Sequence, residues 1–480
     1  MIWTAIQQYS VMGINFISGI VLARLLTPVD YGCIGMLNIF MVVAESFVDG
    51  GFGSALIQKK RPTQEDYSTV FHWNLVISLL AYLILYLSAP AIARYYNTPI
   101  LSSVLRVQGV VIIIYAVTII QRNILRKKLN FRKLSIVTIV TAVISLIVTI
   151  IMAYKGLGVW ALVAQNILLT SIPSIVFWVS SKWRPSWTFS IQSFKSLFSF
   201  GFYMFLTHLI NTVSNNVQGL LIGRYYSAET MGYYSKAKGT EKLASHSISK
   251  VMTQVTYPLY AEVQHDSAAV GNMIKRMTMS LSYVTYPLMF ILILLAKPVF
   301  LLLYSSRWLP SVPYFQILCL AGLGQCLHSI NLQSISAVGK SKSMFVWTVI
   351  KRIIGLAFIV GGMIYFGIKG LLVGMVLNNW FSYFVNISLV SKHIGYKWYR
   401  QLLDILPVGI ASVVAFVVTY GAIRLIGTQV HLHIYVRGLI ELAIYVLIYG
   451  GWSLIFKPEA YTYVRDIVQT LLNRFKHKKA

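Results

Sequence analysis

Acidic residues are scarce in this chain: 13 Asp and Glu stand among 480 residues, against 41 Lys and Arg. A cationic substrate calls for an acidic cavity, and the sequence has few carboxylates to build one. Cysteine is scarcer still. Cys33, Cys319 and Cys326 all fall inside apolar stretches, which excludes a disulfide framework and a metal knuckle and makes them small packing residues. Long polar segments are missing too: the longest polar connection, Ser180 to Lys195, is too short to hold a soluble domain. The histidines are dispersed, and there is no His-Glu-x-x-His, no Gly-rich phosphate loop and no acidic extramembrane loop of the kind glycosyl-transferring membrane enzymes use. We therefore expect no catalysis, no metal and no cofactor. The opening residues MIWTAIQQYSVMGINF lack both a basic leader and a small-residue cleavage site, and they read as a retained first span.

What the chain does have is apolar surface. Hydrophobic residues make up 57% and charged residues 11%, against roughly 45–50% and about 25% in soluble domains. A water-soluble core cannot bury that surplus, so the expected class is an all-α integral membrane protein. Taking about 20 apolar residues per crossing, spans are expected near 3–25, 30–57, 68–92, 100–121, 134–154, 157–180, 196–222, 229–260, 277–303, 312–337, 343–366, 368–390, 402–425 and 434–456, about 14 transmembrane helices in all. The formal net charge of +28 would suggest nucleic acid in a soluble protein. Here the basic residues gather after even-numbered spans, for example Lys59, Lys60 and Arg61, then Arg122, Arg126, Lys127 and Lys128, and finally the tail NRFKHKKA. By the positive-inside rule both termini are cytoplasmic, and no nucleic-acid partner is expected.

The sequence also repeats. VLARLLTPVDYG, Val21 to Gly32, returns as LIGRYYSAETMG, Leu221 to Gly232, setting Arg24 over Arg224 and Gly32 over Gly232. GSALIQ ends at Gln58 and YAEVQ at Gln264; YKGLGVWALV begins at Tyr154 and YFGIKGLLVG at Tyr365. Two parallel six-helix repeats followed by two C-terminal helices are expected: an N-terminal half over 1–190, a C-terminal half over 191–395, and residues 396–480 as the extra helices and a basic tail. Parallel repeats of this kind belong to secondary transporters, whose substrate site lies between the halves. Arg24 and Arg224 are candidate substrate-binding cations, although an arginine just past an apolar helix also commonly snorkels to the interface.

Charge inside the expected spans is rare and concentrated. At 100° per residue, Lys238, Lys242, His246, Lys250 and Lys236 fall in that order around one arc of about 160° on the eighth span. Such a face must meet protein, water or an anionic ligand, or else the polar stretch lies outside the membrane. Glu45 and Asp49, four apart on the second span, share one face and serve either as ion-coupling carboxylates or as counter-charges; Glu241 is a third candidate for coupling. Arg437 and Glu441 read as a structural ion pair, and amides such as Asn211, Asn215, Asn216 and Gln218 suggest a polar lining.

LARLLTPVDYG, VDGGFGSALIQKK, EDYSTVFHWNL, AIARYY and RKKLNFRKL, in that order, resemble the polysaccharide flippases of the multidrug/oligosaccharidyl-lipid/polysaccharide exporter superfamily, in the branch handling O-antigen, colanic-acid and teichuronic-acid type repeat units. The match is densest over the first 135 residues. The resemblance implies a monomeric, multi-pass bacterial inner-membrane protein that moves an undecaprenyl-diphosphate-linked oligosaccharide across the bilayer by alternating access, among membrane lipids and alongside polysaccharide-assembly proteins. Two rivals share some of these features: a cation or drug exporter of the same superfamily, and a membrane-embedded polysaccharide polymerase or ligase.

Overall fold

A computed structural model describes the chain apart from residues 1, 263–265, 339–340, 430–432, 467–468 and 470–480, and describes the helical residues 2, 200, 246–259, 261–262, 337, 341–342, 345 and 427–429 by backbone or sequence only. Every regular element among the described residues is helical. In chain order these are α1 (Ile2–Leu25), α2 (Pro28–Asp49), α3 (Phe52–Gln58), α4 (Gln64–Tyr95), α5 (Ile100–Gln108), α6 (Val110–Lys127), α7 (Phe131–Tyr154), α8 (Val159–Ser180), α9 (Ile191–Tyr225), α10 (Ala228–Glu262), α11 (Ser267–Leu294), α12 (Ala296–Leu303), α13 (Ser311–Ala337), α14 (Ser341–Ile394), α15 (Trp398–Gln429) and α16 (Ile434–Phe456).

Each expected span coincides with helix, yet only eleven helices among the described residues are long and apolar enough to cross a bilayer, or twelve with the bent α9. Two physical reasons account for the difference from fourteen. The eleventh and twelfth expected spans are the two arms of α14, joined through Gly367 at φ 63° and ψ −148°. The eighth is α10, whose lysines and serines make it too polar to pass as a span.

Helix starts are written into the sequence. Thr27 caps α2: its hydroxyl accepts the Asp30 N–H at 3.3 Å, and Asp30 Oδ2 accepts the Thr27 N–H at 2.8 Å, a reciprocal capping box. Thr63 and Asp66 do the same for α4, with Thr63 N donating to Asp66 Oδ2 at 2.8 Å. Asp66 is fully buried and also takes the Lys59 ammonium at 2.7 Å. Asp66→Ala therefore removes a cap and one partner of an ion pair together, and a loss of roughly 2 kcal/mol is expected once the half-open position of Lys59 is discounted. Lys59→Met leaves the cap in place and should lower the thermal midpoint less; equal losses would contradict the cap.

The repeat is visible in the element boundaries. Both α1 and α2 meet their second copies at one offset of 200, since Leu25 and Tyr225 end α1 and α9 while Pro28 and Ala228 begin α2 and α10. The 211-residue offset likewise sets Gly156 (φ 77°) over Gly367 (φ 63°), so both copies turn on a left-handed glycine. The copies differ where α2 stops at Gly50 and Gly51, both left-handed, while α10 runs on; the expected end of the second copy at Gln264 lies outside the described residues.

The chain packs as two compact units, residues 1–235 and 236–480, with the boundary inside α10. In the first unit α2 is surrounded by α4, α6, α8 and α9. Phe52, Leu56, Val70, Phe71, Ile120 and Leu197 form one apolar core there, and Leu22, Leu26, Ala153, Ala161 and Leu162 another. In the second unit α11 packs on α13 and α15, and α13 on α14. Hydrogen bonds tie these helices where apolar burial drives association weakly: Tyr445 donates to the Ser412 carbonyl at 3.2 Å and Tyr449 to the Tyr283 carbonyl at 3.0 Å. Arg437 and Glu441 form the expected ion pair at 3.0 Å, and all three cysteines are buried and outside any disulfide among the described residues. Just past α16, Glu459 takes the Lys275 ammonium of α11 at 2.8 Å, which holds its carboxyl below the usual range. Large exposed side chains such as Leu87, Leu447 and Ile455 mark the lipid-facing surfaces.

Candidate functional site

In the first unit the chemistry gathers at the end of α2. Glu45 and Asp49 are both partly buried, one turn apart. Arg122 of α6 is the cation acting on Glu45, while His208 of α9 and Arg126 of α6 act on Asp49. The missing side chain of Gly53 makes room for the Asp49 carboxylate: a β-carbon there would lie 2.8 Å from Asp49 Oδ1 and 3.3 Å from Asn123 Nδ2. Among the described residues the buried Asn123 Nδ2 has no hydrogen-bond partner, so an unspent donor faces the same small space. Ser46 Oγ meets His208 Nδ1 at 3.1 Å, and Asn38 Nδ2 donates to Asn216 Oδ1 at 3.0 Å. These bonds make a polar seam between α2 and α9. A β-carbon on Gly51 would strike the Gly201 carbonyl, where α9 bends by 51°. Two broken helices thus meet beside the carboxylates.

The same unit explains the repeated helix start. A β-carbon on Gly32 would run into the Ala228 carbonyl, and one on Gly232 into the Pro28 carbonyl. Each copy's glycine accepts the other copy's first turn, so the starts of α2 and α10 cross backbone to backbone. Arg24 and Arg224 are both exposed at helix ends. Arg224 lies over the Tyr95 ring at 4.8 Å and donates to the Tyr95 carbonyl at 2.6 Å.

In the second unit the basic arc on α10 divides. Lys236 is buried, with its ammonium 4.0 Å from the Tyr304 ring centroid and 5.4 Å from that of Trp308. A desolvated cation over two aromatic faces is worth about 1–2 kcal/mol. Thr240, one turn on, meets the Tyr304 hydroxyl at 3.0 Å, and the Glu241 carboxylate lies against Gly322 of α13. Ala237 and Ser245 complete this packed side. Lys238 is half-buried and Lys242 is exposed, both close enough to act on Glu241. The side chains of His246 and Lys250 lie outside the described residues.

Two features escaped the sequence reading. Arg122 and Arg126 counted there as loop cations, but α6 runs on to Lys127 and carries Arg122 into the interior. Lys127 itself donates to the carbonyls of Leu56, at 3.0 Å, and of Lys59, closing the C-terminus of α3. The second is Lys351, buried in α14, which donates to Asn386 Oδ1 at 2.7 Å; the Asn386 amide in turn meets His328 Nδ1 at 2.6 Å. The signal for it was a Lys-Arg pair in mid-span. Between Asp266 and Asp404 the sequence has no acidic residue at all, so α11, α12 and α14 carry cations without carboxylates.

Comparison with known proteins gives the family and the fold relatives of this chain. The family model described as "Polysaccharide biosynthesis protein" matches residues 21–313. The chain is 28% identical over 347 residues to the teichuronic acid biosynthesis protein TuaB of Bacillus subtilis (strain 168), covering 72% of each chain. It is 24% identical over 407 residues to the succinoglycan biosynthesis transport protein ExoT of Rhizobium meliloti (strain 1021), covering 84% of this chain and 80% of that one. Among solved structures, the fold is similar to the lipid II flippase MurJ in an inward closed conformation, with a TM-score of 0.74, 18% identity, and coverage of 98% of this chain and 100% of that one.

Proposed function

Because the chain belongs to the polysaccharide biosynthesis protein family, we propose that it is a flippase that carries an undecaprenyl-diphosphate-linked oligosaccharide repeat unit across the bacterial inner membrane by alternating access. In this reading it is a transporter and not an enzyme, works as a monomer with both termini cytoplasmic, and hands its cargo to polysaccharide-assembly proteins. The domain division at 190 and 395 belongs to the same proposal. The observation that carries the reading is the sign of the interior charge. Lys238 and Lys242 share α10 with a single nearby carboxylate, and α11, α13 and α14 contain none. A phosphate 4 Å from an ammonium gains up to about 4 kcal/mol at an effective dielectric near 20, which offsets much of the desolvation of a sugar headgroup. A lipophilic cation would meet repulsion instead.

The test is translocation in vesicles reconstituted with the purified protein. Protein-dependent flipping of a polyprenyl-diphosphate-linked oligosaccharide, unaffected by lipophilic cations, is expected; efflux of such a cation without flipping would favour the exporter. Glu45 and Asp49 are proposed as the ion-coupling carboxylates, with Glu241 as a third. Asp49→Asn should then reduce flipping at least tenfold at an unchanged amount of folded protein. Parallel loss of transport and of folded protein would make the pair structural.

A further inference from the structure

The two arms of α14 touch backbone to backbone. A β-carbon on Gly362 would strike the Gly370 carbonyl, one on Gly370 the Gly362 carbonyl, and one on Gly374 the Phe358 carbonyl. Those three glycines set the crossing. Gly361 does not, because a β-carbon there would meet nothing within 4 Å, although glycine is among the least favourable residues in a helix interior. What Gly361 borders is a groove of about 560 Å³ that runs from the hairpin tip, at Tyr365 and Lys369, down to Ala357 and Leu377. From Lys369 to Leu377 that is about 12 Å at 1.5 Å per residue.

We propose that this groove holds one acyl chain of an anionic membrane phospholipid, with the phosphate paired to Lys369. The groove lies within the apolar stretch Val346–Ile394, so its open side meets lipid. Its walls are apolar apart from Lys369 and the Tyr365 hydroxyl, both at the hairpin tip, which suits a flexible alkyl chain below a polar headgroup and no sugar. The one cation stands two residues past the turn at Gly367, beside Tyr365, which is 80% exposed. Lysine and tyrosine at a helix end mark headgroup depth. No carboxylate on α11 to α14 competes for the ammonium, and Gly361 keeps the slot open by having no side chain. The proposal does not depend on what the protein transports.

The experiment is native mass spectrometry of the purified full chain with phosphatidylglycerol or phosphatidylcholine added. Wild type should retain one phosphatidylglycerol. Gly361→Leu fills the groove without touching the crossing and should bind it at least tenfold more weakly, at an unchanged or raised thermal midpoint. Val373→Trp, which fills the groove from the other arm, serves if Gly361→Leu does not fold. Lys369→Gln should keep the lipid but lose a roughly fivefold preference for phosphatidylglycerol, the worth of one lysine near an anionic headgroup. Undiminished binding in either filled variant overturns the proposal, as does displacement of phosphatidylglycerol by polyprenyl diphosphate at equal concentration.

Discussion

Replacing Gly32 by Ala is expected to cost the protein about 3 kcal/mol or more of stability, Gly232→Ala a similar amount, and the double replacement much less than the sum. The new methyl at position 32 lands on the Ala228 carbonyl, and the one at 232 on the Pro28 carbonyl. Overpacking a core usually costs about 1–3 kcal/mol, and the upper end applies here because a carbonyl in a helix cannot swing aside as a side chain does. The only relief is to part α2 from α10. Once one methyl has parted them the second finds room, so the two changes are strongly non-additive. Thermal unfolding in detergent, followed by the amount of monodisperse protein left after heating, measures all three variants. An unchanged midpoint for Gly32→Ala, or additive losses in the double variant, would contradict the reciprocal crossing.

That crossing shows how far the sequence could be read. The 200-residue offset between Arg24 and Arg224 was legible, and the ends of α1 and α9 and the starts of α2 and α10 keep it. Why Gly32 and Gly232 are glycines was not legible, because the reason is a carbonyl of the other copy, about two hundred residues away in sequence. Span positions were legible from length and apolarity. The break of α2 at Gly50 and Gly51 was signalled by its glycines, whereas the fusion of two spans through Gly367 depends on one backbone conformation. At the candidate site, helical periodicity put the five basic residues on one arc of α10. It gave no sign that Lys236 turns onto Tyr304 and Trp308, which lie more than sixty residues further along the chain. Arg122 was counted as a loop charge because nothing local marks the end of α6 before Lys127.

The division of the arc leads to the second large effect. Lys236 is spent on two aromatic rings, so Lys236→Gln should lower the thermal midpoint and reduce transport only in proportion to the folded protein lost. Lys238 and Lys242 lie on the less packed side of α10, and changing both to Gln removes like charges that repel each other at about one turn's separation. The fold should be intact or slightly more stable. Two lost phosphate contacts of about 1.5–3 kcal/mol each correspond to a binding loss of at least a hundredfold. The deciding measurement is the rate of flipping of a polyprenyl-diphosphate-linked oligosaccharide in vesicles holding equal amounts of folded wild-type protein and the Lys238→Gln, Lys242→Gln variant. A rate in the variant that falls to that of protein-free vesicles is the predicted result; a rate equal to wild type would contradict the claim that this face of α10 receives the anionic headgroup.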